Sequence, residues 1–212
     1  RLGEVSGSVM ASVGKLSHSK DPSYSFGGIV NLPIGDTIAL RVAVRQEREG
    51  GFIDARDVLK RQGDSYINGS PVLADTTYVA NSPGVYINKK DYNYSDTTFA
   101  RAALRWEPTD DFSIGLAYNF AKSKGVGGNI DNSGYEGGPS PLDPRIQFEP
   151  NGDYERSVPM LEPWKRRTEL ASLDASYDLG FATVSATVAY GKTRGLSSND
   201  TTVTLLGSPY GF

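Results

Sequence analysis

The side chains able to do bond-making chemistry are few and poorly placed for it. His18 is the only histidine and cysteine is absent, so no Ser-His-Asp relay, Cys-His pair or multi-histidine metal site can be assembled. Asp54 with Asp57, and Asp110 with Asp111, are close enough in sequence for paired acid/base work, but the first pair reads as loop and the second as turn. Asn129-Ile-Asp131-Asn-Ser133-Gly134 begins like a calcium loop, yet Ser140 stands where a bidentate glutamate is needed, and a Gly-rich turn fits better. Asn68, Asn93 and Asn199 head glycosylation sequons, three-residue matches too short to decide anything. The expectation is a non-enzyme with no metal and no cofactor.

Binding residues are more plentiful. Arg41, Arg45, Arg101, Arg105, Asn119 and Asp174, with Glu4, occupy the polar positions of alternating segments. Tyr66, Tyr78, Tyr86, Tyr135, Tyr154 and Trp164 fall in long polar stretches, where amphipathic rings suit contact with a small-molecule ligand. A net charge of -3 and a pI near 5.3 give no electrostatic reason to expect nucleic acid.

Seven segments must position these groups. Val5, Val9, Ala11 and Val13 alternate with Glu4, Ser6, Ser8 and Ser12, the period of a strand with one apolar face. Tyr24, Phe26, Val30 and Leu32 make a second strand. Ile38, Leu40, Val42 and Val44 oppose Arg41 and Arg45 in a third, where a one-residue slip would carry arginines into the apolar face. Further strands set Ala100, Ala102, Leu104 and Trp106 against Arg101 and Arg105, and Phe112, Ile114, Leu116, Tyr118 and Phe120 against Asn119. The last two set Ala171, Leu173, Ala175 and Tyr177 against Asp174, and Ala182, Val184, Ala186, Val188 and Tyr190 against Thr183, Ser185 and Thr187.

The connections alternate in length. Pro33-Ile34-Gly35-Asp36-Thr37, Pro108-Thr109-Asp110-Asp111 and Tyr177-Asp178-Leu179-Gly180 are tight reversals, whereas residues 53–94 and 124–165 read as long polar loops. Compact soluble domains rarely carry such loops; transmembrane β-barrels have short periplasmic turns at one rim and long extracellular loops at the other. No run approaches the roughly 18 apolar residues of a membrane helix, and aromatic residues cluster toward both strand ends, as in interfacial girdles. The fold class expected is all-β, an antiparallel transmembrane β-barrel, with residues 1–212 supplying about seven strands of a larger barrel. A soluble antiparallel sheet with one wet face is the alternative. The chain opens at Arg1 without an initiator Met or signal region, and Gly207-Ser-Pro-Tyr-Gly-Phe212 is poor strand material, so a fragment is expected.

The stretch Gly28-Ile-Val-Asn-Leu-Pro-Ile-Gly-Asp36, continuing Thr37-Ile-Ala-Leu-Arg-Val-Ala-Val-Arg45 and ending Glu49-Gly-Gly-Phe-Ile-Asp54, resembles the first barrel hairpins of TonB-dependent outer-membrane transporters. Arg101-Ala-Ala-Leu-Arg-Trp-Glu-Pro-Thr-Asp-Asp-Phe112 resembles that family's next strand pair. The resemblance covers the chain to about Phe120; beyond it only the pattern agrees. It implies a barrel of about 22 strands plugged by an amino-terminal domain, in the outer membrane of a Gram-negative bacterium, taking up a scarce nutrient such as siderophore–iron or an oligosaccharide. The implied partners are outer-membrane lipid, the chain's own plug domain, the TonB complex acting through that plug, and the ligand. Alternatives are a passive pore in which residues 201–206 supply an eighth strand, and a soluble β-rich carbohydrate-binding module.

Overall fold

The computed structural model describes residues 3–59, 61–67, 70–73, 86–129, 131, 133–139 and 147–200. Strands β1 (Ser6–Gly14), β2 (Ser23–Ile34) and β3 (Ile38–Glu49) come first. The first long connection holds β4 (Asp54–Leu59), β5 (Arg61–Ile67), β6 (Ser70–Leu73) and β7 (Tyr86–Lys89). A hairpin of β8 (Ser95–Thr109) and β9 (Phe112–Val126) follows. The second long connection holds β10 (Gly138–Pro139), β11 (Gln147–Phe148) and β12 (Glu155–Ser157), and β13 (Pro163–Asp178) pairs with β14 (Thr183–Ser197) in a closing hairpin.

The seven segments recognised by alternation form one antiparallel sheet in the order β1-β2-β3-β8-β9-β13-β14. Among the described residues it is open, with β1 and β14 as edges. Strands β8, β9 and β14 have 15 residues and β13 has 16, well beyond the 5–6 of an average soluble strand. The three tight turns lie at one end, where Gly35 and Gly180 adopt φ of 65° and 82°, conformations that a side chain disfavours. The long connections all leave the other end.

Through the middle of the sheet, register separates two faces. Arg41, Arg45, Arg101, Arg105, Asn119 and Asp174 share one face, and Val42, Leu104, Leu116 and Val188 share the other. The polar face is laced by hydroxyl pairs between neighbouring strands: Ser12–Ser25 at 2.8 Å, Thr97–Ser123 at 3.1 Å, Thr168–Thr193 at 3.2 Å and Ser176–Ser185 at 3.1 Å. Nothing described covers the apolar face, where Val9 is 89% exposed, Val188 69% and Leu116 48%.

The hydrophobic core lies elsewhere. Ile53, Ala55, Val58, Tyr92, Val158 and Leu161 are buried together around the three-stranded sheet β12-β4-β7, in which β12 runs parallel to β4. The described parts of the stretches expected to be long polar loops therefore include a structured assembly. Sequence pattern hid this because the core is gathered from three short segments, none long enough to display a period.

Candidate functional site in the rim assembly and on the polar sheet face

The rim assembly is built around close backbone approach. A Cβ at Gly51 would overlap the carbonyl oxygen of Asp91, and one at Gly50 that of Asp21, so glycine is required where the chain leaves β3. The Asn93 side-chain oxygen accepts from the amides of Phe52 (2.7 Å) and Ile53 (2.8 Å), while its amide donates to Asn129 Oδ1 (3.0 Å). This sequon asparagine is 8% exposed and fully engaged as a clasp, which leaves no room for a glycan. Asp54 Oδ1 accepts from the Asp91 amide at 3.0 Å and its partner oxygen pairs with Lys90. Asp54 is thus a structural tie, although it and Asp57 lie in strand β4 and not in the loop the sequence pattern suggested.

Glu162, 5% exposed, anchors the second connection. It accepts from Tyr92 Oη at 3.1 Å, Arg156 Nη2 at 2.9 Å and the Asp200 amide at 2.9 Å. Burial, and then the Glu162 charge, push the Tyr92 phenol far above its ordinary value, so Tyr92 remains a donor across the physiological range. No periodic signal marked Tyr92 or Glu162 in the sequence.

Asp57 sits at φ 59° and its Oδ2 accepts from Ser157 Oγ at 2.6 Å. Burial raises its pKa above the ordinary 3.8, outweighing the Ser157 hydrogen bond and Arg56. A carboxyl with a raised folded-state pKa favours the assembly below its unfolded pKa, and that contribution is lost as pH rises through the folded value. The rim assembly is therefore expected to lose stability as pH climbs from about 3.8 through the higher folded pKa, then to level off. Urea titrations read by Trp164 fluorescence in a Trp106→Phe background test this. Asp57→Asn is expected to remove the slope, and an unchanged slope would assign it to another group.

The aromatic residues expected at the ligand-facing rim divide. Tyr154 stacks on His18 with ring centroids 4.5 Å apart and meets the Phe52 edge at 6.3 Å. His18 is exposed but has this ring partner, and sequence reading missed both the pairing and Phe52. Tyr135 is half-buried, and burial followed by the Asp57 charge raises its phenol pKa. Trp164 is a correction: it lies in β13, not in a loop. A Cβ at Gly125 would come within 2.8 Å of its indole, so the glycine makes space for the ring. Tyr78, Ser140 and residues 201–206 lie outside the described residues, as do the side chains of Tyr66 and Tyr86. Below the rim, Lys20, Arg48, Lys89, Lys90, Asp91 and Tyr94 border a cleft of about 500 Å³.

On the polar sheet face Arg41, Arg45, Arg101 and Arg105 each have a local acceptor. Arg41 Nε donates to Asn31 Oδ1 at 2.7 Å, Arg45 pairs with Glu47 at 3.2 Å, Arg101 donates to Asn119 Oδ1 at 3.1 Å, and Arg105 pairs with Glu107. Arg45, Arg101 and Asn119 come together with Met10, Ile29, Phe99 and Leu170 along a groove of about 480 Å³. Arg41, Arg105 and Asp174 stand apart from it, nearer the tight turns, with the Asp174 carboxylate against Gly115. The groove sets apolar side chains beside guanidinium and amide groups. Among the described residues no group of three or more His, Cys, Asp or Glu side chains is arranged to hold a metal ion.

No family model, curated protein or solved structure matches the chain.

Proposed function

We propose that this chain forms part of the wall and outer rim of an outer-membrane β-barrel transporter of the TonB-dependent kind. The observation that carries the proposal is a long-stranded sheet with an uncovered apolar face and a hydroxyl- and arginine-lined opposite face. In water such an apolar expanse invites association; in a bilayer it is the surface lipid requires, and further strands would close the edges. The polar face would then line the lumen and meet a plug domain, while the rim assembly would receive the nutrient. Siderophore–iron is the first choice of ligand and oligosaccharide the second, and TonB would act through the plug. The motif resemblance supports energised uptake over a passive pore, whose eighth strand would come from residues outside those described. The length of β8, β9, β13 and β14 tells against a soluble carbohydrate-binding module.

Single cysteines and a lipid-soluble maleimide in native membranes test the orientation. Labelling is expected at positions 42, 104, 116 and 188 and protection at 45, 101, 119 and 174. The reverse pattern, or clean recovery of the protein without detergent, would overturn the membrane assignment.

A further inference from the structure

Six cations stand on the apolar face of β9, β13 and β14, above the apolar band and toward the rim: Lys122, Lys124, Lys165, Arg167, Lys192 and Arg194. At the same height the opposite face presents Ser123, Thr168, Thr193 and Gly195, with Arg166 as its one cation on these three strands. The excess charge therefore faces away from the proposed lumen.

Register makes the arrangement costly on its own. Lys122, Arg167 and Arg194 lie directly opposite one another across β9, β13 and β14, and Lys124 faces Lys165 in the row beyond. Opposed side chains on neighbouring strands are about 4.5–5.5 Å apart at Cβ, where like charges repel. Compensation within the chain is partial. Arg167 Nε donates to Glu169 at 2.6 Å and Lys124 lies 3.9 Å from Asp96; among the described residues no ion pair involves Lys122, Lys165, Lys192 or Arg194. The Arg167 guanidinium rests over the Phe120 ring, 5.2 Å from its centroid, which holds it at the edge of the apolar band.

A second feature lies beyond the next row, in which Glu169 stands between Phe120 and Lys192 and is held by Arg167. Ala171 stands in register between Tyr118 and Tyr190, so a small residue separates two large rings, and Leu116, Leu173 and Val188 continue the trough, whose volume is about 460 Å³. Along β13, Ala171 is roughly 13 Å from Arg167 at strand rise. A phosphate at the cation row and a hydrocarbon chain running down the trough would satisfy both features with one molecule.

We infer that the outward face of β9, β13 and β14 is a binding site for a phosphate-bearing membrane lipid, its headgroup on Lys122, Arg167 and Arg194 and an acyl chain between Tyr118 and Tyr190. This rests on the membrane assignment proposed above. The arginine forks supply bidentate donors for phosphate oxygens, and the anion relieves the repulsion along the row.

The full chain, purified in neutral detergent, is reconstituted into vesicles of phosphatidylcholine with and without phosphatidic acid, and the lipid retained after extraction is quantified by mass spectrometry. Each cation near an anionic membrane surface contributes about fivefold to binding, so Lys122→Gln/Arg167→Gln/Arg194→Gln is expected to lower phosphatidic acid retention at least about tenfold. Arg166→Gln, on the opposite face, is expected to retain it. Ala171→Phe, which fills the trough, is expected to reduce retention with the cations intact. In phosphate-free neutral detergent the triple variant is expected to unfold no earlier than the wild type, because aligned charges have been removed. Equal retention by the triple variant and the wild type would overturn the inference, as would earlier unfolding of the triple variant in detergent. Displacement of the lipid by inorganic phosphate would reduce the feature to an anion site and overturn the acyl component. Failure of the wild type to enter either vesicle would instead overturn the membrane assignment beneath it.

Discussion

Replacing Glu162 by alanine is expected to destabilise the rim assembly by about 3–5 kcal/mol, the usual cost of removing one partner from a buried ion pair, while the seven-stranded sheet keeps its register. The Glu162 carboxylate receives both the Arg156 guanidinium and the Tyr92 hydroxyl, and neither donor has another described acceptor. Arg156 is four-fifths buried, with a side-chain exposure of 20%, so water only partly replaces the lost pairing. Hydrogen exchange is the direct measurement. Amides of the rim, such as those of Tyr92 and Val158, which donate to Ile53 and Arg56, are expected to exchange about two to three orders of magnitude faster, with strand amides of β8 and β9 unaffected. Glu162→Gln keeps the shape and one acceptor oxygen, so it is expected to fall between wild type and alanine. Unchanged rim protection in the alanine variant would show that the apolar cluster of Ile53, Val58 and Val158 holds the assembly without this anchor.

Placing an arginine at position 116 is expected to cost about 2–4 kcal/mol in a bilayer, the measured range for a cation at the midplane of a barrel's lipid face. Leu116 sits in a row with Leu104, Leu173 and Val188, well inside the apolar band. The sign of the discrimination is what makes the experiment informative. Leu116 is already 48% exposed, so if this face met water the same substitution would stay within about 0.5 kcal/mol, as surface changes generally do. Urea unfolding from phospholipid vesicles measures the difference, with Ala117→Arg on the opposite face as the matched control, expected to be nearly silent. Equal effects at positions 116 and 117 would remove the distinction between a lipid face and a lumen face.

The main sheet was legible because its information is local. In β3 the alternation of Ile38, Leu40, Val42 and Val44 with Arg41 and Arg45 fixes both the strand and its facing, since a slip by one residue inverts every side chain. The tight turns around Gly35 and Gly180 were legible for the same reason: a positive φ selects glycine at one position. Strand ends were less so. Trp164 falls inside the stretch 124–165 that reads as loop, yet β13 begins at Pro163, since pairing with Gly125 and Ser197 supplies a ladder that local propensity does not reveal.

The sequence by itself determined a two-faced, long-stranded antiparallel sheet with its connections alternating between tight and long, because period-2 patterning and turn chemistry act over a few residues. Only the tertiary structure decided where the core lies, which polar groups are committed to it and how cations align across strands. Ile53, Tyr92 and Val158 come from segments separated by up to about a hundred residues. Glu162, Asn93 and Asp57 acquire their roles from partners 70, 40 and 100 residues away, and the row Lys122–Arg167–Arg194 exists only through the pairing of β9 with β13 and of β13 with β14. Burial, buried hydrogen bonds and cross-strand charge repulsion are properties of pairs remote in sequence, and no window along the chain contains them.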